Sequence, residues 1–205
     1  LQIAEPAAGK EGGITKWDKF AAMGFALKTS YLPHYTYEDY AQWEGNWELI
    51  GGVPYAMSPS PSFRHQRINT KILTQIDEKI SGCKHCKAVM SFDWKIKDDT
   101  VVQPDVSVVC QPVKNNNFLD FAPSLIFEII SPSSEMRDRK IKLQLYQSER
   151  VRYYVIINGE TEMAEVHQLK GTRYMKAMQT HDAIFTFLLA EDCKAEFRFS
   201  EIWKV

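Results

Sequence analysis

The segment that most constrains this chain is Leu125-Ile126-Phe127-Glu128-Ile129-Ile130, an apolar run fenced by Pro123 and Pro132. It is too short for a stable helix and has the length of a buried strand. Glu128 interrupts it. A buried carboxylate without a partner forfeits several kcal/mol of hydration. The strand therefore needs a cation beside Glu128 (a metal ion, a lysine or an arginine) or an edge position from which Glu128 reaches water. On this strand alone both solutions are open.

A second carboxylate stands in a comparable setting. Val101 to Val109 is β-branched on both sides of Gln103-Pro104-Asp105. Proline removes a ladder donor, so it marks an edge, a bend or a bulge within a strand. The apolar runs on either side argue against a simple turn at Asp105. The helix expected after Glu128 holds Arg137-Asp138-Arg139-Lys140-Ile141-Lys142-Leu143-Gln144-Leu145-Tyr146. Asp138, Lys142 and Tyr146 recur at i, i+4 and i+8 and share one face. Such a face is ordinarily solvated, but this helix leaves the Glu128 strand through only a short Ser-Pro loop.

Together these residues fit one chemistry. Two carboxylates on neighbouring strands suit Mg²⁺ or Mn²⁺, hard cations that take oxygen ligands and keep waters. A metal so held activates a water and neutralises charge on a scissile phosphate, and a lysine beside it stabilises the transition state. Weaker candidates surround this set. Glu48 on a hairpin strand is a possible further carboxylate. His65, in a helix's first turn, is a possible general base. Arg64, Arg67, Arg137 and Arg139 are possible phosphate contacts. Each has a bland alternative as an exposed residue on a solvated face.

Along the chain, residues 1–30 read as an arm of undetermined structure, and 31–205 as one domain. Thr36 is placed to cap a short helix from Tyr37, and Gly51-Gly52 to turn a hairpin. Ile68, Ile72, Leu73, Ile76 and Ile80 give a helix from Phe63 that Gly82 ends. Ala88–Ile96 and Val101–Cys110 read as two long strands joined by a turn. Further strands are expected at 151–157, 162–169, 173–178 and 183–188, with a helical turn near Ser200. This order predicts a mixed α/β (α+β) domain with an N-terminal helix and hairpin.

The formal net charge of −1 excludes coating of nucleic acid by bulk charge but not a local basic face. No apolar stretch reaches the length of a membrane helix, and the first residues lack the apolar core of a signal peptide, so the expected location is cytoplasmic. The four cysteines are accordingly expected reduced. Cys83-Lys84-His85-Cys86 reads as an incidental loop, since a zinc site needs a second ligand pair and only the isolated Cys110 and Cys193 remain.

The ordered set Trp47-Glu48-Leu49-Ile50-Gly51-Gly52, Met57-Ser58-Pro59 with His65, Gln103-Pro104-Asp105-Val106, Phe127-Glu128-Ile129-Ile130-Ser131-Pro132-Ser133, and Asp138 with Lys142 and Tyr146 resembles a large bacterial family. Its members, abundant in cyanobacteria, are restriction-endonuclease-like proteins of the PD-(D/E)xK nuclease superfamily. The resemblance runs from about Thr36 to Tyr174 and implies a mixed β-sheet flanked by helices, with Asp105 and Glu128 as metal ligands. The superfamily lysine stands two residues after the glutamate, where this chain has Ile130. Lys142 is the expected substitute and Lys140 the reserve. The function so implied is Mg²⁺- or Mn²⁺-dependent cleavage of DNA, with a homodimer a plausible assembly. The competing function is a non-catalytic binding module that retains the nuclease fold.

Overall fold

A computed structural model describes residues 33–57 and 60–204; the arm expected over 1–30, together with Ser58 and Pro59, lies outside them. His34–Val205 forms one unit, a mixed α+β fold built mainly of strands in three sheets. The short helix α1, Tyr37–Tyr40, opens it. The Asp39 carboxylate accepts from both the backbone N–H and the hydroxyl of Thr36, which fixes the chain's entry. Hairpin β1 (Trp47–Ile50) and β2 (Val53–Ala56) turns on Gly51 and Gly52, both at positive φ as a tight two-residue turn requires.

Helix α2 spans Phe63–Ile80, capped by the Ser62 side chain. Its Ile68, Ile72, Ile76 and Ile80 are buried, each worth about 1.5–3 kcal/mol relative to exposure. They pack on a six-stranded sheet of order β10-β9-β8-β7-β6-β3. That sheet contains β3 (Lys87–Met90), β6 (Val106–Val109), β7 (Leu125–Ile130), β8 (Tyr153–Asn158), β9 (Met163–Lys170) and β10 (Arg173–Thr180). A hairpin of β11 (Ile184–Ala190) and β12 (Cys193–Arg198) covers the same face, with Phe187 and Phe197 against Phe127. The opposite face carries a π-helical turn, Arg137–Lys142, running into α3, Leu143–Ser148. On that face lie Tyr146 and, from a four-stranded sheet, Trp94 and Val102.

Alternation along β7 decides where Glu128 goes. Leu125, Phe127 and Ile129 join the core under α2, whereas Ile126 and Ile130 join the core under α3. Glu128 shares parity with the second set and so enters the α3 side. All six residues of β7 are buried. The sheet-edge solution for Glu128 is thereby removed: β7 lies between β6 and β8.

The two long strands expected over 88–96 and 101–110 are each broken in two. Lys87–Met90 belongs to the six-stranded sheet, but the chain then crosses to β4 (Trp94–Lys97) in the four-stranded sheet, order β2-β1-β5-β4. It returns from β5 (Thr100–Val102) to β6 across Gln103-Pro104-Asp105. The causes are local. Pro104 has no N–H for either ladder, and Ser91 adopts φ 46°, which ends β3. The β12 strand, absent from the sequence reading, completes the C-terminal hairpin, and the turn expected near Ser200 is a 3₁₀ turn at Phe199–Glu201.

The cysteines correct another expectation. Cys83 is bonded to Cys193 and Cys86 to Cys110, so none is free among the described residues. Carrying the β3–β6 register one residue past Lys87↔Val109 sets Cys86 opposite Cys110. Cys83 meets Cys193 at the start of the strand that the sequence reading lacked. Partners 110 residues apart are not legible from spacing.

Candidate active site

Where the chain crosses between sheets, a cleft of about 570 Å³ opens, lined among others by His65, Gln103, Asp105, Glu128, Asp138 and Lys142. The β6–β7 register, Val106↔Phe127, extended by one residue sets Asp105 opposite Glu128. Both carboxylates therefore face the cleft from adjacent strands. Asp105 Oδ2 accepts from the Ile129 N–H at 2.7 Å and lies 3.4 Å from His65 Nε2.

Glu128 is held from the helix side. Lys142 Nζ and the Tyr146 hydroxyl each donate to Glu128 Oε1 at 2.9 Å. Lys142 also pairs with Glu48 Oε1 at 2.7 Å and with Asp138 Oδ1 at 3.4 Å. The π-helical turn delivers Asp138 and Lys142 to one side, and such turns are frequent at functional sites. Glu48, fully buried on β1, accepts the Gln103 N–H at 3.1 Å and pairs with Arg137 at 3.3 Å. The cluster thus draws on both larger sheets and on the helix between β7 and β8.

Electrostatics follow from burial. Desolvation pushes the Glu128 carboxyl well above its usual range; Lys142 opposes this, while Asp138, Asp105 and Glu48 reinforce it. Burial alone would lower the Lys142 ammonium, but Glu128, Glu48 and Asp138 outweigh it and hold the pKa well above the ordinary lysine value. Burial likewise pulls His65 down, and hydrogen bonding and charge from Asp105 reverse it to a net rise. The carboxylates around Lys142 thus favour its charged form.

The expected residues separate into three groups. Asp105, Glu128, Lys142, His65, Arg64 and Arg137 line the cleft, and Glu48 lies directly beneath it. Lys140 does not: it is exposed on the turn that buries Asp138 and Lys142, so Lys142 is the lysine that reaches Glu128. Arg67 and Arg139 are also outside the cleft. Arg139 is engaged by Glu135 and Glu165, while Arg64 is tied to the Gly159 carbonyl and to Glu162. The bracing beneath has no local signal in the sequence: Gln103 donates to Asp93, which also accepts from the Tyr40 hydroxyl. Ser91, Ser131, Ser133 and Ser134 along the cleft stand outside the expected set. Only the Ser-Pro-Ser-Ser loop between the Glu128 strand and the basic helix could have signalled any of these.

The donor set suits a divalent cation. Three carboxylates (Glu48, Glu128, Asp138) converge on Lys142, Glu48 also meets Arg137, and Asp105 stands beside Glu128 against His65, so carboxylates outnumber the lysine and arginine. Asp105 Oδ1 and Glu128 Oε2 have no hydrogen-bond partner among the described residues, and both residues line the cleft. Among the described residues no group of three or more His, Cys, Asp or Glu side chains is arranged to hold a metal ion. Mg²⁺ does not need one, because it binds through one or two carboxylates and retains waters.

A mixed sheet flanked by helices, with an acidic pair on adjacent strands and a lysine on the following helical turn, places the fold in the restriction-endonuclease-like class. Residues 37–185 match the Uma2 family, described as "Putative restriction endonuclease". The chain belongs to that family. A protein of Synechocystis sp. (strain ATCC 27184 / PCC 6803 / Kazusa), "Uncharacterized protein slr1290", is 33% identical over 124 residues, 56% of this chain and 63% of that protein. The match thus spans less than two thirds of this relative's length. The crystal structure of "a putative nuclease belonging to DUF820" from Anabaena variabilis ATCC 29413 shares the fold, with TM-score 0.65 and 17% identity over 82% of this chain and 97% of that one. Among the described residues no helix is long and apolar enough to cross a membrane.

Proposed function

We propose that this protein is a divalent-metal-dependent endonuclease that hydrolyses phosphodiester bonds in DNA. The observation that carries the reading is the contact of Lys142 with Glu128, which supplies the lysine missing two residues after the glutamate. The same contact weighs against a non-catalytic module, since a decayed site has no reason to keep a buried lysine against three carboxylates. Asp105 and Glu128 would hold Mg²⁺ or Mn²⁺ through their carboxylate oxygens. When bound, the metal supplies an activated water and charge neutralisation at the phosphate.

The chain's own residues then have distinct tasks. Lys142 carries three N–H donors, two committed at 2.7 and 2.9 Å and one in a longer 3.4 Å contact with Asp138. That weaker contact leaves a donor free to turn toward a phosphate oxygen. Tyr146 fixes the Glu128 rotamer, and His65 with the Ile129 N–H fixes Asp105. Ser131, Ser133 and Ser134 offer hydroxyls along the cleft for phosphate contacts. A symmetric pair of copies would present one such site to each strand of a duplex.

The test is cleavage of duplex DNA by the purified chain with Mg²⁺ or Mn²⁺. Activity is expected to vanish with chelator and in Asp105→Ala and Glu128→Ala. Cleavage that survives both substitutions would overturn the reading.

A further inference from the structure

The proposed chemistry makes no use of the two disulfides, yet both act on the same short segment. Cys83 and Cys86 lie in the connection between α2 and β3, joined to the start of β12 and to the end of β6 respectively. Strand β3 is an edge strand, four residues long, with β6 as its only sheet neighbour among the described residues and α2 packed against it. Short edge strands with few contacts are drawn from the low-stability end of a fold. This one is closed at both ends. Beyond Lys87 it is stapled by Cys86–Cys110. Beyond Met90, the Ser91 N–H donates to the Asp105 main-chain carbonyl at 3.2 Å, at the cleft wall.

We infer that Cys86–Cys110 is a redox-sensitive staple that holds edge strand β3 on β6 and, through Ser91, holds Asp105 in place, while Cys83–Cys193 ties the same loop to β12. The part of this inference that concerns activity rests on the function proposed above. Reduction by a dithiol breaks each S–S bond and delivers two electrons and two protons to the two sulfurs, while the reductant closes to its own disulfide. Re-formation passes those electrons and protons to a low-molecular-weight disulfide such as oxidised glutathione. Because both staples start in one loop, their loss frees the entire entry to β3. The reduced chain keeps its α2 and sheet core but loses order at β3, Ser91 and the backbone of Asp105.

Thiol titration of the unfolded chain, without and with prior reduction by dithiothreitol, and backbone hydrogen exchange of the folded protein test this. No free thiol is expected before reduction and four after. Reduced wild type and the Cys86→Ser/Cys110→Ser pair should exchange the amides of residues 87–91 on the order of tenfold faster. The Cys83→Ser/Cys193→Ser pair should loosen the start of β12 and leave 87–91 unchanged. Free thiols in the unreduced protein, stoichiometric zinc on the four sulfurs, or unchanged exchange at 87–91 after reduction would each overturn the inference. If Cys86→Ser/Cys110→Ser fails to fold, reduced wild type supplies the same readout. Metal-dependent cleavage is expected to fall on reduction together with the exchange change. Absence of cleavage in the oxidised protein would count against the nuclease reading, while thiol and exchange data would still decide this one.

Discussion

Lys142 Nζ lies 2.9 Å from Glu128 Oε1 and 2.7 Å from Glu48 Oε1, so one helical cation joins carboxylates from the two larger sheets. Its removal leaves buried charge without compensation. Lys142→Met is expected to lose about 3–5 kcal/mol at pH 7 in urea denaturation. The double variant Lys142→Met/Glu128→Gln should recover part of that loss. A cost near zero for the single variant would mean that the cluster is not held together by charge.

Tyr146 donates to the same Glu128 oxygen and is fully buried. Tyr146→Phe keeps the ring and removes one hydrogen bond to a charged group, so a loss of about 1.5–3 kcal/mol is expected. In a Glu128→Gln background the penalty should shrink. Equal penalties in both backgrounds would show that the hydroxyl acts elsewhere.

Metal binding has a readout independent of cleavage. A cation bound only by the folded chain, at about one hundred times its dissociation constant, raises stability by about 2.7 kcal/mol. Mg²⁺ or Mn²⁺ is therefore expected to raise the melting temperature of wild type and leave Asp105→Asn unmoved. A shift retained in Asp105→Asn would place the ion elsewhere.

Glu165 lies between Arg139 and Lys176, the latter at 2.6 Å. Burial alone would raise its carboxyl, but hydrogen bonds from Lys176 and Arg139 prevail and hold it below the usual value. A depressed carboxylate stabilises the fold above its unfolded pKa and loses that contribution as pH falls through the folded one. Glu165→Gln should thus cost on the order of 1 kcal/mol at pH 7, with partial exposure of Lys176 limiting it. The difference from wild type should disappear as pH falls below the ordinary carboxylate range. A penalty that persists in acid would assign the loss to packing.

Gly159 follows β8 closely, and a Cβ there would stand 2.8 Å from Ile68 Cδ1. Gly159→Ala is expected to destabilise by about 1–3 kcal/mol through overpacking. Ile68→Val removes the offending methyl, so Gly159→Ala should cost less in that background. Additive penalties in denaturant would show that backbone conformation, not crowding, sets the cost.

The legible parts of this protein were those set by short-range pattern. The isoleucine spacing gave away α2, Gly51-Gly52 the hairpin turn, and the lone carboxylate in β7 the need for a buried cation. Lys142 was legible because helical spacing alone aligns it with Asp138 and Tyr146. What stayed hidden depends on pairings remote in sequence. Nothing local says that residues 87–90 and 94–97 belong to different sheets, or that Glu48 and Glu128 share a lysine. Cys193 lies 110 residues from its partner, so the pairing is hidden, although the strand it begins was legible in principle because Cys193–Arg198 alternates apolar with charged residues. Arg64 and Arg139 looked free for phosphate because their partners Glu162 and Glu165 are remote in sequence.

The double crossing between sheets has a mechanical consequence. Between β3 and β6 the four-stranded sheet is joined to the six-stranded one through two adjacent segments, 91–93 and 103–105, cross-linked by Gln103 and Asp93. Any rotation of one sheet against the other is taken up partly at these hinges, and Ser91, Gln103 and Asp105 all line the cleft. Glu48 would travel with one body and Glu128 with the other, with Lys142 as the tether. The width of the cleft and the spacing of its carboxylates are therefore a single mechanical coordinate.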